Sequence, residues 1–172
     1  MKPSQAIKNI CRAVAFAAMA LGATTTVSST AKADAGLHWV AARGGEVPGS
    51  AIVGGWEPGR TLYVCRGWYR GGMHPGKIVG SNCNIGWGGD EVPLDPYEVL
   101  VGNNGAVDWV DASYGGVPAG AFSGGYEPGR PNLYICRAYH EGWQPGKLVG
   151  PNCNIGYGGD ELTFPHYQVL VQ

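Results

Sequence analysis

The sequence predicts an all-β fold built from two tandem, pseudo-symmetric repeats of short antiparallel strands. Three observations carry this. First, Trp39–Val101 aligns with Trp109–Val171 over nearly its whole length, so the chain contains one unit written twice. Second, 30 of 172 residues are glycine and no helical periodicity is sustained. Runs such as "WVAA", "AIVGG", "TLYVCRGWY", "KIVG" and "YEVLV" recur instead, each bounded by Gly, Pro or Asn, as in short strands joined by tight turns. Third, four cysteines fall at matching places in the two repeats.

The first segment stands apart from the repeats. Lys2, Lys8 and Arg12 precede the apolar run "AVAFAAMALGA", and a small polar stretch ends in "AKA" at Ala33. This is the pattern of a secretory signal peptide over residues 1–33, cleaved near Ala33, with export to the periplasm or extracellular space. The run is too short for a membrane span, and no other apolar run approaches that length. Residues 34–172 then form a single domain with 8 basic and 13 acidic side chains, a net charge of −5. An acidic exported protein is a poor binder of nucleic acid or anionic membrane through charge.

Repeat one covers 39–101. In "LYVCRGWY", Leu62, Val64, Arg66 and Trp68 share one strand face, and Tyr63, Cys65, Gly67 and Tyr69 the other. Large groups on both faces predict a strand covered on both sides, so Arg66 and its counterpart Arg137 need a carboxylate or carbonyl partner. "GNNGA" from Gly102 is the joint, and repeat two covers 109–171. Each repeat is too small to bury much surface alone, so the two are expected to pack as one unit. The even cysteine count fits an oxidising compartment. The repeat favours Cys65–Cys83 with Cys136–Cys153, while the swapped pairing Cys65–Cys153 with Cys83–Cys136 has the same symmetry and stays open. Without a C-x-x-C spacing, a zinc site is the weaker reading.

No catalytic motif, metal-binding pattern or cofactor fingerprint is present, and the four histidines do not recur at equivalent positions. The recurring polar residues are Glu57 and Glu127, Lys77 and Lys147, and the pairs Asp90–Glu91 and Asp160–Glu161. All read as turn residues. Two adjacent acids fall well short of the oxygens calcium takes. In "GGWEPGR" and "GGYEPGR" the glutamate follows two glycines and an aromatic, Trp56 or Tyr126, so the backbone there is expected to approach a ligand closely. A carboxylate, an ammonium and an aromatic face are groups that grip a sugar.

"GGYEPGRPNLYICRAYHEGWQPGKLVG", the later "YGGDE" and the closing "YQVLV" resemble the DM-nine repeat family. The resemblance spans both repeats. It implies a tandem-repeat, mannose-binding lectin with strands exchanged between repeats and two pseudo-equivalent, metal-free sites. It selects Glu57 with Lys77 and Glu127 with Lys147 as the sugar clamps; Trp56, Tyr126, Glu91 and Glu161 are secondary candidates by their recurrence. The expected partners are mannose-type glycans, with room for a homodimer. Repeat one departs from the family pattern, reading "RGWYRGG" where repeat two has "RAYHEG". A structural or protein-interaction module is the alternative. A glycoside hydrolase is disfavoured, because pseudo-equivalent Glu57 and Glu127 belong to two sites rather than to one scissile bond.

Overall fold

The computed structural model describes residues 34–172, so the expected signal peptide lies outside them. The described chain forms one 14-stranded sheet of antiparallel pairs. Repeat one supplies β1 (His38–Ala42), β2 (Val53–Glu57), β3 (Arg60–Tyr69), β4 (Gly72–Val79), β5 (Asn82–Trp87), β6 (Asp90–Leu94) and β7 (Tyr97–Val101). Repeat two supplies β8 (Asp108–Ser113), β9 (Ser123–Glu127), β10 (Arg130–Tyr139), β11 (Trp143–Val149), β12 (Asn152–Tyr157), β13 (Asp160–Phe164) and β14 (His166–Val171). A 3-10 turn at Asn104–Ala106 joins them, capped by the Asn103 side chain, which accepts from the Gly105 amide. Among the described residues no helix is long and apolar enough to cross a membrane.

The long strand of each repeat is its hub. β3 pairs with β2, β4 and β7, and β10 pairs with β9, β11 and β14. The repeats then exchange strands. β2 pairs with β11 at Trp56 and Trp143, and β9 pairs with β4 at Tyr126 and Met73. A third crossing joins β6 to β13, where the Glu91 amide donates to the Gly159 carbonyl and the Glu161 amide to the Gly89 carbonyl.

Burial follows this plan. One apolar cluster gathers around Cys65, Cys83, Ile85 and Val99 in repeat one, and its counterpart around Cys136, Cys153, Ile155 and Val169 in repeat two. Between them, Ile52, Val64, Leu100, Ile135 and Leu170 form a shared core. The disulfides pair within each repeat, Cys65–Cys83 and Cys136–Cys153, tying β3 to β5 and β10 to β12. Each of the two arginines has one side-chain partner in its own repeat and one carbonyl partner across the exchange. Arg66 Nε donates to Glu98 at 2.6 Å and Nη1 to the Gly124 carbonyl, with the guanidinium over Trp39. Arg137 Nε donates to Gln168 at 2.9 Å and Nη1 to the Gly54 carbonyl, with the guanidinium over Trp109. Lacking a directly bonded carboxylate, Arg137 is pushed down to about 10 by burial.

The paired glycines do not serve ligand access, as the sequence suggested. They let one repeat's backbone meet the other's. A Cβ added at Gly55 would sit 1.9 Å from the Trp143 carbonyl oxygen, and one at Gly125 the same 1.9 Å from the Met73 carbonyl oxygen. Neither neighbour is a flexible side-chain tip, so the exchanged strands would have to part.

Gly55→Ala and Gly125→Ala should each therefore cost about 1–3 kcal/mol in urea unfolding. Gly49→Ala, where a Cβ meets nothing within 4 Å, should stay within about 0.5 kcal/mol of the parent. Replacing Cys136 and Cys153 by serine together should cost about 3 kcal/mol in the same assay, since that bridge spans a sequence separation of 17.

Candidate functional site

The exchange creates two clefts, each walled by both repeats. Cleft one, about 470 Å³, is lined by Glu57, Lys77, Asn84 and Glu91 of repeat one with Glu141 and Tyr157 of repeat two. Cleft two, about 410 Å³, is lined by Glu127, Lys147, Asn154 and Glu161 of repeat two with Arg70, His74 and Trp87 of repeat one. Both volumes suit a small ligand.

Glu57 ends β2 and Lys77 lies within β4. Both strands flank β3, where Glu57 faces Arg60 and Val64 faces Lys77, so register brings the pair together. The Lys77 ammonium is 3.9 Å from the Glu57 carboxylate. Neither lysine is a turn residue. Lys77 and Lys147 lie mid-strand, each only 2% exposed, because "PGK" continues the strand instead of ending it. Burial lowers the pKa of both ammonium groups. Glu57 and Glu91 oppose this at Lys77, and Glu127 and Glu161 oppose it at Lys147.

A buried ammonium needs acceptors, and the nearest one comes from the opposite repeat. Lys77 Nζ donates to Gln144 Oε1 at 2.5 Å, and Gln144 Nε2 donates to Glu57 at 3.3 Å and to the His140 carbonyl at 3.2 Å. In cleft two the same place is filled by His74, which precedes "PGK" as Gln144 does. Its Nε2 meets the Tyr69 carbonyl at 3.0 Å and its Nδ1 meets Lys147 Nζ at 3.1 Å. A carbonyl requires a donor and an ammonium an acceptor, so these partners select the neutral ring protonated at Nε2. Glu127 lies 3.8 Å from Nδ1 and is paired with Arg130.

The floor of each cleft is identical. Asn84 Nδ2 donates to Glu91 at 2.9 Å, and Asn154 Nδ2 donates to Glu161 at 2.8 Å. The second oxygen of each glutamate accepts an amide of the opposite repeat, Gly159 for Glu91 and Gly89 for Glu161. The carboxylate fixes each amide's orientation and turns Oδ1 away from it. The Oδ1 atoms of Asn84 and Asn154 are buried and have no hydrogen-bond partner among the described residues.

Of the residues selected from sequence, the structure thus gathers Glu57, Lys77 and Glu91 in one cleft and Glu127, Lys147 and Glu161 in the other. Trp56 and Tyr126 lie elsewhere. Strand alternation turns them to the opposite side of the glutamates that follow them, where Trp56 packs edge-on to Tyr139 and Tyr126 to Trp68. The aromatic walls of the clefts are Tyr157 and Trp87. Gln144, His74, Asn84 and Asn154 escaped sequence reasoning. The two asparagines carried a signal in the repeated "NCNIG", but the other two differ between repeats and act across them. A larger concavity, about 580 Å³, lies near Asp111, Tyr139, Trp143 and Tyr167. There Asp111 already accepts from Gln168, and the Tyr167 hydroxyl is bonded to Gly115 and Gly116.

Comparison with known proteins agrees with this architecture. A family model described as the DM9 repeat matches residues 11–81 and 57–164. No curated protein matches the chain. Among solved structures, the nematode sperm cell motility protein MFP2B is similar at 18% identity with a TM-score of 0.58. The likeness covers 78% of this chain and 46% of that one, so this chain spans under half of that protein's length.

His74 should give the fold a pH dependence. Burial, and next the Lys147 ammonium, lower its pKa below the ordinary 6.5, against the Tyr69 carbonyl, Glu127 and Glu161. Between the lowered native value and 6.5 the unfolded chain binds more protons, so stability falls as pH falls through that window. Urea unfolding at pH 7.5 and pH 5 should show a larger acid loss for the parent than for His74→Gln.

Proposed function

We propose that this chain, which belongs to the DM9 repeat family, is a secreted carbohydrate-binding protein that takes mannose-type sugars without a metal, one in each cleft. The observation that carries the reading is the repeated polar lining. In both clefts a partly exposed glutamate and a lysine line one concavity above an asparagine held to a second glutamate. A sugar hydroxyl both donates and accepts, so it can donate to Glu57 and accept from Lys77, with the matching set in cleft two. Tyr157 and Trp87 offer rings for the apolar C–H face of a pyranose. Two disulfides suit a protein exported to an oxidising compartment.

Binding without hydrolysis is the reading we favour. The glutamates of cleft one are already engaged by the protein: Gln144 donates to Glu57, which also pairs with Arg60, and Asn84 and Gly159 donate to Glu91. That suits gripping hydroxyls better than giving a proton to a leaving oxygen. A second reading, a protein-interaction module, is favoured by the exposed pairs Trp56–Tyr139 and Trp68–Tyr126, and the motility protein shows the fold in another setting.

Glu127→Gln, Lys147→Met and Asn154→Ala should each weaken methyl α-mannoside binding at cleft two by about tenfold or more, as measured by titration calorimetry or NMR. Methionine keeps the buried volume of the lysine stem. Normal binding by all three would sink the clamp. With two clefts on one unit, Glu57→Gln with Lys77→Met should lose far more on a mannose-coated surface than on free sugar, because about 10²-fold avidity goes with the second contact.

A further inference from the structure

The clefts share their glutamates, lysine and asparagine, and differ where the opposite repeat contributes. Cleft one receives Glu141, Gln144 and Tyr157. Cleft two receives Arg70, His74 and Trp87 at the matching positions. The linings therefore differ in charge. Cleft one has three carboxylates against two cations, a net −1. Cleft two has two carboxylates against three cations, a net +1 with His74 neutral.

We propose that cleft two binds a saccharide carrying an anionic group, a phosphate or carboxylate on the ring, while cleft one takes a neutral sugar. This rests on the sugar reading of both clefts. Arg70 is the deciding residue. Arg130 is engaged by Glu127, and Lys147 by His74. Among the described residues Arg70 has no ion-pair partner, and its guanidinium rests 5.6 Å from the Tyr69 ring and 6.0 Å from the Trp87 ring. It is held at the cleft by a tight turn (φ 49°), with a planar fork suited to two oxygens of one anionic group. The matching turn of cleft one places Glu141 there (φ 53°), and Glu141 accepts from the Tyr157 hydroxyl. An anion entering cleft one meets that carboxylate in place of a guanidinium. The hairpin that carries Glu141 is one residue shorter, but Arg70 and Glu141 share the same left-handed φ region, so each position already accommodates a long charged side chain.

The test is an NMR titration of the exported protein, reading the amides of Gly88 for cleft two and Gly158 for cleft one. The probes are methyl α-mannoside, mannose 6-phosphate, mannuronic acid and inorganic phosphate. At Gly88, mannose 6-phosphate or mannuronic acid should bind about tenfold more tightly than methyl α-mannoside, and the advantage should shrink as salt is raised. The pair of acidic probes shows which anionic group is preferred. At Gly158 the order should reverse. Arg70→Glu should abolish the preference at Gly88, Arg70→Gln should reduce it, and Glu141→Arg should create it at Gly158. Equal affinity for neutral and acidic sugars at Gly88, or a preference that survives Arg70→Glu, overturns the proposal. So does inorganic phosphate binding as tightly as mannose 6-phosphate, which would make cleft two an anion site that ignores the sugar. If methyl α-mannoside moves neither amide while an acidic sugar moves Gly88, the neutral-mannose reading of the clefts fails and the charge assignment stands.

Discussion

The structure depends on a backbone contact. β2 of repeat one lies so close to β11 of repeat two, and β9 so close to β4, that no side-chain carbon fits between Gly55 and Trp143 or between Gly125 and Met73. That approach converts two small units into one sheet with a common core. It also sets the clefts, because the strand carrying each glutamate is laid against the opposite repeat's hairpin. The donors and acceptors that complete each cleft follow from this approach. Arg66 and Arg137 reinforce it, each donating to a carbonyl of the other repeat's paired glycines.

Much of this could be read in the sequence, for physical reasons. Strand alternation and turn punctuation are local, so the all-β class and the repeat were visible. The Glu and Lys pairs stood out by recurrence. Pro and Gly around the lysines resemble a turn, whereas Pro75 and Pro145 sit inside strands β4 and β11. The paired glycines signal a close approach, but a sequence does not say whether a ligand or another strand will make it. Trp56 and Tyr126 are a different case. Each adjoins its glutamate on a strand, and period-two alternation alone already sends neighbours to opposite sides. Gln144 and His74 could not be found by comparing repeats, since the repeats disagree there and each residue serves the other's lysine.

The burial of Lys77 and Lys147 shows how a polar cleft is kept ordered. An ammonium taken out of water is costly unless its donors are satisfied. Here a neutral acceptor from across the repeat boundary meets it first, with the glutamate at 3.9 Å in cleft one. A flexible stem is thereby fixed without closing the lysine and glutamate into a tight ion pair. Glu57 and Glu127 stay partly exposed at their cleft walls.

The crossing of strands also constrains ancestry. A chain with a single repeat has a glutamate, a lysine and an asparagine, but nothing to stand where Gln144 or His74 stands. It could complete a cleft only by lending its hairpin to a second copy and borrowing that copy's hairpin in return. Such a pair would hold two clefts that must stay identical, because one gene writes both. Fusion of the two copies into one chain removes that symmetry. Each half can then change the turn it lends without changing the turn it borrows, and Arg70 and Glu141 are where this freedom is most visible.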